Sequence, residues 1–219
     1  MERLFISMMM LATCWATPQD LTGKVFVFPK ETATDHVKLL TTKNNFHFLT
    51  LCMRFKTDLT RNYGLFSLST PSFSDGFTLF KLDNVDTMEV DVLDKAAYFL
   101  SLSFPPNTWH SICATWRFGT SLAQLWVDGK PSIMRETRSG PINQTPITIL
   151  GQEQDSYGRD FDANQCFVGM ITKVHMWDHV LSSAEIKNYV EDKPFTPGNV
   201  FNWRALEFEI TGDIYVEDE

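Results

Sequence analysis

After Lys24 the chain is a succession of short apolar or alternating runs, rich in Val, Ile, Leu, Phe and Trp and separated by Gly, Pro, Asn and Asp. Such runs between turn-forming residues are typical of β-strands. They predict strands at 25–28, 46–55, 65–68, 77–82, 88–93, 98–102, 109–116, 122–127, 147–150, 167–172 and 174–177. Many short strands with few helices indicate an all-β fold, a two-sheet antiparallel sandwich of the jelly-roll kind.

Two local signals predict a turn and a helix. Asp128-Gly129 lies between apolar residues and tolerates the positive φ that a two-residue hairpin turn requires. Ser182 and Glu185 have the spacing of a capping box, and the apolar residues of the next two turns fall on one face. We therefore predict one surface α-helix over 182–191, ending before the proline that follows.

Length and composition favour one domain over residues 17–219. The chain has 219 residues, of which 43% are hydrophobic, enough for a single large core. Its formal net charge is −8 and its pI is near 5.1, without a cluster of Lys and Arg. Because phosphate backbones require a basic surface, nucleic acid is not expected to be the main partner.

Residues 1–16 have the pattern of a secretory signal peptide. Arg3 precedes an apolar run at 4–12, and small residues end the segment at Ala16. The run is too short to span a bilayer, and no later apolar stretch approaches about 18 residues. We expect cleavage after Ala16 and a secreted, extracellular product without a transmembrane anchor.

Three cysteines remain once the one in the leader is removed. Cys52 and Cys113 lie in predicted strands, which makes a strand-to-strand disulfide the natural pairing. Cys166 is then left over as a buried apolar residue, a free thiol or half of an intermolecular disulfide. Asn143 opens an Asn-Gln-Thr sequon, so we predict glycosylation there.

An oxygen-rich loop at 150–165 carries the candidate chemistry. Glu153 and Asp155 are two residues apart, so on an extended backbone both carboxylates point to one side, and the Gln154 main-chain oxygen can turn inward. Asp162 and Gln165 follow after a glycine-containing turn. Oxygen donors without His or Cys favour calcium. The alternative interpretation is an ordinary solvated acidic loop.

The whole of 17–219 resembles the pentraxins. Leu-Gly-Gln-Glu-Gln-Asp-Ser-Tyr-Gly at 150–158 is similar to the calcium loop of that family, and His-Ser-Ile-Cys-Ala-Thr-Trp at 110–116 is similar to its His-x-Cys-x-Ser/Thr-Trp signature. Further similar segments lie at 25–31, 125–131 and 202–206. The resemblance implies a lectin-like jelly roll, cyclic assembly usually as pentamers, and two Ca²⁺ ions per subunit on the face opposite the helix.

Carried over by position, the resemblance implies a set of site residues. The calcium ligands would be Glu153, the main-chain oxygen of Gln154, Asp155, Asp162 and Gln165. The Asp-Asn pair of the family falls on Ser74-Asp75, or on Asp75-Gly76 after a one-residue slip. Phe80 would be the pocket aromatic beside a choline head, or else a core residue. The acidic contact to the amine has no secure counterpart, and Asp94 is the candidate.

The function that follows is a secreted, calcium-dependent pattern-recognition lectin. Its expected ligands are phosphocholine, phosphoethanolamine or anionic polysaccharide on microbes and damaged cells, and the resemblance implies complement engagement. One alternative is a structural adhesion module of the laminin-G type. The other is a jelly-roll glycosidase, which requires two carboxylates; here the second acid of Glu-x-Asp-x-x-Glu is replaced by Gly158. We therefore predict no enzymatic activity and a packed structural role for His110.

Overall fold

The computed structural model describes residues 17–83 and 86–219, and the predicted signal peptide lies outside them. The described chain forms sixteen strands and one α-helix. In chain order they are β1 Lys24–Phe28, β2 His36–Leu39, β3 Phe48–Lys56, β4 Tyr63–Thr70, β5 Phe73–Lys81, β6 Met88–Val92, β7 Ala96–Phe99, β8 His110–Arg117, β9 Leu122–Val127, β10 Lys130–Pro131, β11 Arg135–Glu136, β12 Ile147–Leu150, β13 Gly169–Trp177, α1 Ser183–Val190, β14 Phe201–Asn202, β15 Phe208–Thr211 and β16 Tyr215–Asp218.

The strands form two antiparallel sheets that pack as a sandwich, which confirms the predicted fold class. The first sheet has the order β10-β9-β8-β3-β13-β1-β16, with β11 paired to β9 and β14 to β13. The second has the order β15-β2-β12-β4-β5-β6-β7. Apolar side chains from both sheets form one main core, in which large rings such as Phe26, Phe66 and Trp116 are fully buried. Burial of this apolar area is the main source of stability.

The predicted helix is confirmed. Ser182 caps the helix, accepting a hydrogen bond from the Glu185 amide while Glu185 bonds back to the Ser182 amide. Ile186 and Tyr189 are buried against the outer face of the first sheet, where they join a second apolar cluster that includes Trp177. Within the described residues no helix is long and apolar enough to cross a membrane.

The predicted hairpin and disulfide are also present. Asp128 and Gly129 both have positive φ, 48° and 76°, and connect β9 to β10 in register. Cys52 and Cys113 face each other across β3 and β8 and form a disulfide. This crosslink lies in the apolar cluster beneath α1, so the helix covers it.

The sequence prediction missed strands whose composition is polar or whose length is short. β2 has only four residues, and β16 is exposed along its whole length because it forms the edge of the first sheet. The strand predicted at 98–102 is instead β7 at Ala96–Phe99, and the apolar residue that follows, Leu100, is 58% exposed in a loop. Apolar content alone therefore placed that strand too late in the chain.

Candidate metal centre

An acidic depression of about 190 Å³ lies on the outer face of the second sheet, where β5, β6 and the loop after β12 meet. Five carboxylates, a hydroxyl, an amide and one aromatic ring line it. These are Asp75, Thr78, Phe80, Glu89, Asp91, Glu153, Asp155 and Gln165. Five residues predicted for the site, Asp75, Phe80, Glu153, Asp155 and Gln165, thus line one depression, although they come from two distant parts of the chain.

A bulge in β5 brings Asp75 into the depression. Between the cross-strand pairs Leu68–Phe77 and Thr70–Phe73, β4 advances by two residues while β5 advances by four. The extra residues turn Asp75 toward the outer face. Its carboxylate there accepts a hydrogen bond of 3.1 Å from the Thr78 hydroxyl. Bulges of this kind commonly re-aim a side chain next to a binding site.

The bulge places the one residue that both candidate pairs share. Ser74 does not line the depression, so Asp75 is the member of either pair that does. Gly76 is buried, and a Cβ at its position would lie 2.8 Å from the main-chain oxygen of Leu68. A glycine is therefore required for the close approach of the bulge to β4.

The side chain of Gln154 anchors the acidic loop. It is fully buried, and its amide donates to the main-chain oxygens of Ser67 and Ile147 at 2.9 and 3.1 Å. Its oxygen accepts from the Ser69 hydroxyl at 2.7 Å and from the Gly158 amide at 3.0 Å. Because this side chain points inward, its neighbours on either side can point outward into the depression. The main-chain oxygen of Gln154 remains the part of this residue that can bind a metal.

Gly64 of β4 allows the same loop to lie directly against the sheet. A Cβ at this position would be 2.9 Å from the amide nitrogen of Glu153 and 3.1 Å from the carbonyl carbon of Gln152. Such distances to main-chain atoms are shorter than packed side chains tolerate. The position of the Glu153 carboxylate therefore depends on a glycine almost 90 residues earlier, a relation that spacing along the chain does not reveal.

The segment after the turn contributes one predicted ligand to the depression and leaves another outside its lining. Asp162 caps a short 3₁₀ helix, Ala163–Gln165, and its carboxylate accepts hydrogen bonds of 2.9 Å from the amide and side chain of Asn164. Gln165 lines the depression, whereas Asp162 does not. In this arrangement Asp162 orders the turn that presents Gln165.

The sequence analysis missed Glu89 and Asp91, which β6 contributes. They are the polar positions of the alternating run Met-Glu-Val-Asp-Val, and they lie directly opposite Phe80 and Thr78 of β5. Directly opposed residues of antiparallel strands share a face. The alternation was visible in the sequence, but the pairing that places these two acids beside Asp75 is a property of the sheet.

The remaining residues singled out in the sequence lie outside the lining of the depression. Asp94 does not line the depression; its carboxylate accepts a hydrogen bond of 2.9 Å from the Asp75 amide and so supports the bulge.

Cys166 is free and fully buried, next to the Thr32 amide, which disfavours an intermolecular disulfide. His110 is buried and contacts Asp128 and the main chain, as expected for a packed residue. Asn143 is exposed, so glycosylation there stays a prediction.

Burial and mutual repulsion raise the pKa values of the acids in the depression. Burial, followed by the negative charges around it, raises the pKa of Asp91 to about 8 and that of Glu153 to about 8. The same two causes raise the pKa of Asp75 and Glu89. Acids that share a site without a cation hold protons above their usual range. A divalent cation would supply the missing positive charge.

The donors present suit a hard cation such as Ca²⁺. Carboxylates, an amide oxygen and a main-chain oxygen are the ligands that Ca²⁺ takes. Within residues 17–83 and 86–219, no group of three His, Cys, Asp or Glu side chains is close enough to form a ready-made metal site.

A family model described as Pentaxin family matches residues 24–218, nearly the whole described chain. Serum amyloid P-component of Sus scrofa is 37% identical over an alignment of 221 positions, gaps included, which covers 99% of this chain and 98% of that protein. C-reactive protein of Sus scrofa is 39% identical over an alignment of 207 positions, which covers 91% of this chain and 89% of that protein. The chain belongs to the pentraxin family.

A solved structure shares the pentraxin fold at low sequence identity. The native heptameric SAP-like pentraxin from Limulus polyphemus superposes with a TM-score of 0.83 at 20% identity, covering 91% of this chain and 96% of that one. The agreement confirms the sandwich with one short helix. Membership of the family supports a pattern-recognition lectin of innate immunity rather than an enzyme.

The raised pKa values predict how the stability of this pentraxin depends on pH without calcium. In the folded state Asp91 and Glu153 each have a pKa of about 8, whereas in the unfolded chain their pKa values are 3.8 and 4.5. The folded state therefore binds more protons than the unfolded state between these limits, and the free energy of unfolding decreases as pH rises. Burial lowers the pKa of His175 to about 3. Below about pH 6.5 this residue therefore has the opposite effect, and its contribution to the free energy of unfolding increases as pH rises.

The test is urea unfolding in chelator between pH 6.5 and 8.5, where those two acids dominate. We expect stability to decrease with pH in the wild type and to decrease less in Glu153→Gln. Asp160→Asn is the matched control, because Asp160 is an exposed acid of the same loop that does not line the depression. A wild-type stability that increases across this range would contradict the assignment.

Proposed function

We propose that this pentraxin is a secreted, calcium-dependent pattern-recognition lectin whose acidic depression holds two Ca²⁺ ions and, through them, an anionic ligand. The observation that carries the proposal is the convergence of five carboxylates on one open surface, where burial and like charge raise their pKa values. A surface that gathers five carboxylates in this way is suited to bind cations.

Charge arithmetic supports two ions rather than one. The five lining carboxylates contribute a charge of −5 when ionised. One Ca²⁺ leaves −3, and two leave −1. Asp162 lies outside the lining, three residues before Gln165, and we propose it as a sixth carboxylate. Because Ca²⁺ takes six to eight oxygen ligands, open positions remain for a phosphate or for acidic groups of a polysaccharide.

The next strands suggest where an amine would bind. Phe80, Glu89 and Tyr98 face one another in register across β5, β6 and β7, so a carboxylate stands between two aromatic residues on the outer face. A quaternary ammonium is attracted by aromatic faces and by a carboxylate. We propose that this row, and not Asp94, contacts the choline or ethanolamine head while the phosphate meets the calcium ions.

Capture on immobilised ligands tests the proposal. The protein should be retained on phosphocholine and phosphoethanolamine in calcium and released by chelator. Phe80→Ala should weaken retention on phosphocholine by about five- to thirty-fold, which corresponds to the roughly 1–2 kcal/mol of a largely desolvated cation–π contact, and should spare retention on an anionic polysaccharide. Phe48→Ala, which removes a 44% exposed ring from the first sheet, is the matched control.

Comparing phosphocholine with the anionic polysaccharide tests calcium dependence and the amine-binding row separately. Retention that chelator does not reverse would contradict calcium dependence. Equal losses of phosphocholine and polysaccharide in Phe80→Ala would contradict the amine row, because the ring is then needed for the whole site. Loss in Phe48→Ala alone would move the ligand to the other sheet.

Assembly into a ring would raise the affinity of weak single sites. Copies that present their depressions on one face gain roughly 10²- to 10⁴-fold in avidity when ligand spacing fits. The Limulus relative is heptameric, and we propose a cyclic oligomer here, with the pentamer as the expected size. Sedimentation would report a ring for a pentraxin and a monomer for a laminin-G-like adhesion module. Complement engagement remains part of this proposal.

A further inference from the structure

A second cavity, of about 200 Å³, lies at one end of the sandwich on the inner side of β5. Its walls are apolar rings, contributed by Phe55, Phe104, Pro105 and Pro106. The depression described above uses the outer side of the same strand, so the two are separate. Apolar cavities of roughly 150 Å³ accept benzene. This one therefore has room for a six-membered ring with a short substituent.

One polar group in this cavity lacks a partner. Tyr63 lines the cavity and is 2% exposed, and burial raises the pKa of its hydroxyl, which therefore stays protonated. Among the described residues none forms a hydrogen bond with this hydroxyl, and it is not one of the polar atoms sealed from solvent. Buried polar groups nearly always have a hydrogen-bond partner. A hydroxyl that reaches the cavity is thus positioned to bond with an occupant.

The charges around the cavity favour a cation at its entrance. The exposed Asp83 and the half-buried Asp86 contribute two carboxylates to the lining. The Lys81 ammonium contributes one positive charge, and it already donates to the Leu82 main-chain oxygen at 2.6 Å. The two ring nitrogens of His110 face the Asp128 carboxylate and the main chain. The lining is thus negative by one charge.

We propose that this cavity binds a small phenol that carries a short alkylammonium chain. The aromatic ring lies between the phenylalanine and proline walls, the ligand hydroxyl meets the Tyr63 hydroxyl, and the ammonium lies near Asp83 and Asp86. Each part of the ligand matches one feature of the cavity. The ring fits the apolar space, the ligand hydroxyl pairs with the Tyr63 hydroxyl, and the ammonium lies by the acidic side chains. Binding requires neither calcium nor the residues of the metal centre.

Three small molecules of matched size test the assignment, by calorimetry and by ligand-observed NMR on the full mature chain in chelator. Tyramine has the ring, hydroxyl and ammonium; phenethylamine lacks the hydroxyl; 4-hydroxyphenylacetate replaces the ammonium by a carboxylate. We expect saturable binding of tyramine and about five- to tenfold weaker binding of phenethylamine, the effect of one net hydrogen bond. The carboxylate should bind more weakly still.

Two variants assign the contacts. Tyr63→Phe keeps the ring in the core and should lower tyramine affinity to that of phenethylamine, leaving phenethylamine unchanged. Asp86→Asn should weaken both amines and not the carboxylate. Thermal unfolding verifies that each variant is folded. The proposal is overturned if tyramine does not saturate at about 10 mM, if Tyr63→Phe binds tyramine as the wild type does, or if 4-hydroxyphenylacetate binds equally well.

Because the tyramine titrations are made in chelator, their result does not depend on the calcium-dependent lectin proposal. Tyramine binding that persists in chelator supports the cavity even where capture on phosphocholine fails. Binding that disappears with chelator or in Glu153→Gln places the amine in the acidic depression and overturns the cavity assignment.

Discussion

Replacing Glu153 by Gln is expected to abolish retention on phosphocholine and to lower calcium affinity by about 100-fold or more, since calcium affinity depends steeply on the number of charged ligands. Glu153 is half-buried and lines the depression, and burial and the nearby carboxylates of Asp75 and Asp155 raise its pKa. Gln keeps the size of the side chain and removes the charge. Calorimetric titration with Ca²⁺ and capture on the ligand measure the two effects.

The control for this experiment lies in the same loop. Asp160 is exposed, does not line the depression and has a φ of 62°, a conformation that Asn tolerates well. Asp160→Asn therefore removes one acid from the loop without strain, and we expect calcium affinity and capture close to wild type. Equal losses in both variants would mean that general loop acidity, and not the Glu153 position, determines binding.

Removal of the Cys52–Cys113 disulfide should produce the largest change in stability. The bridge spans 61 residues of sequence, and the loop-closure model assigns such a crosslink roughly 4 kcal/mol. Both half-cystines are buried beneath α1, so the double variant Cys52→Ala, Cys113→Ala also loses packing against Trp126 and Trp177. Denaturant unfolding should show this loss in the free energy of unfolding.

A control variant at the buried free thiol distinguishes the stability lost through packing from the stability lost through the crosslink. Cys166→Ala removes a fully buried sulfur that is not in a disulfide, and we expect a cost of about 1 kcal/mol, comparable to the loss of a small buried group. If the double variant costs no more than this control, chain closure contributes little here. Calcium affinity should change little in the double variant, because the bridge lies in the first sheet and the depression in the second.

Features that depend on neighbouring residues in sequence were predictable. The capping box that begins α1 and the Asp128-Gly129 turn use contacts within a few residues, and the structure has both. Alternation of apolar and polar residues identified the long strands because one face of each must be buried. The short edge strands were not predictable, since β16 has no buried residue. Its partner, β1, determines that it is a strand.

Residue chemistry alone pointed to the site only in its continuous loop, whereas Asp75 and Phe80 were named through the family resemblance. Glu153, Asp155 and Gln165 lie in one loop whose composition already indicated an oxygen-rich cation site. Glu89 and Asp91 were not recognised, because their role follows from pairing with β5. Tyr98 joins Phe80 through the same register, two strands away. A shift of one residue in either pairing would turn these side chains to the opposite face.

The sequence by itself determined the class of fold, the capped helix, the hairpin and the oxygen donors of the acidic loop, because each depends on local spacing and chemistry. Only the tertiary structure decided that Asp75, and not Ser74, lines the depression, through the bulge that turns Asp75 outward. It also decided that five carboxylates share one depression and that their pKa values rise. The reason is physical: electrostatic coupling and burial depend on distances in space, and strand register, which sets those distances, is a property of the whole sheet.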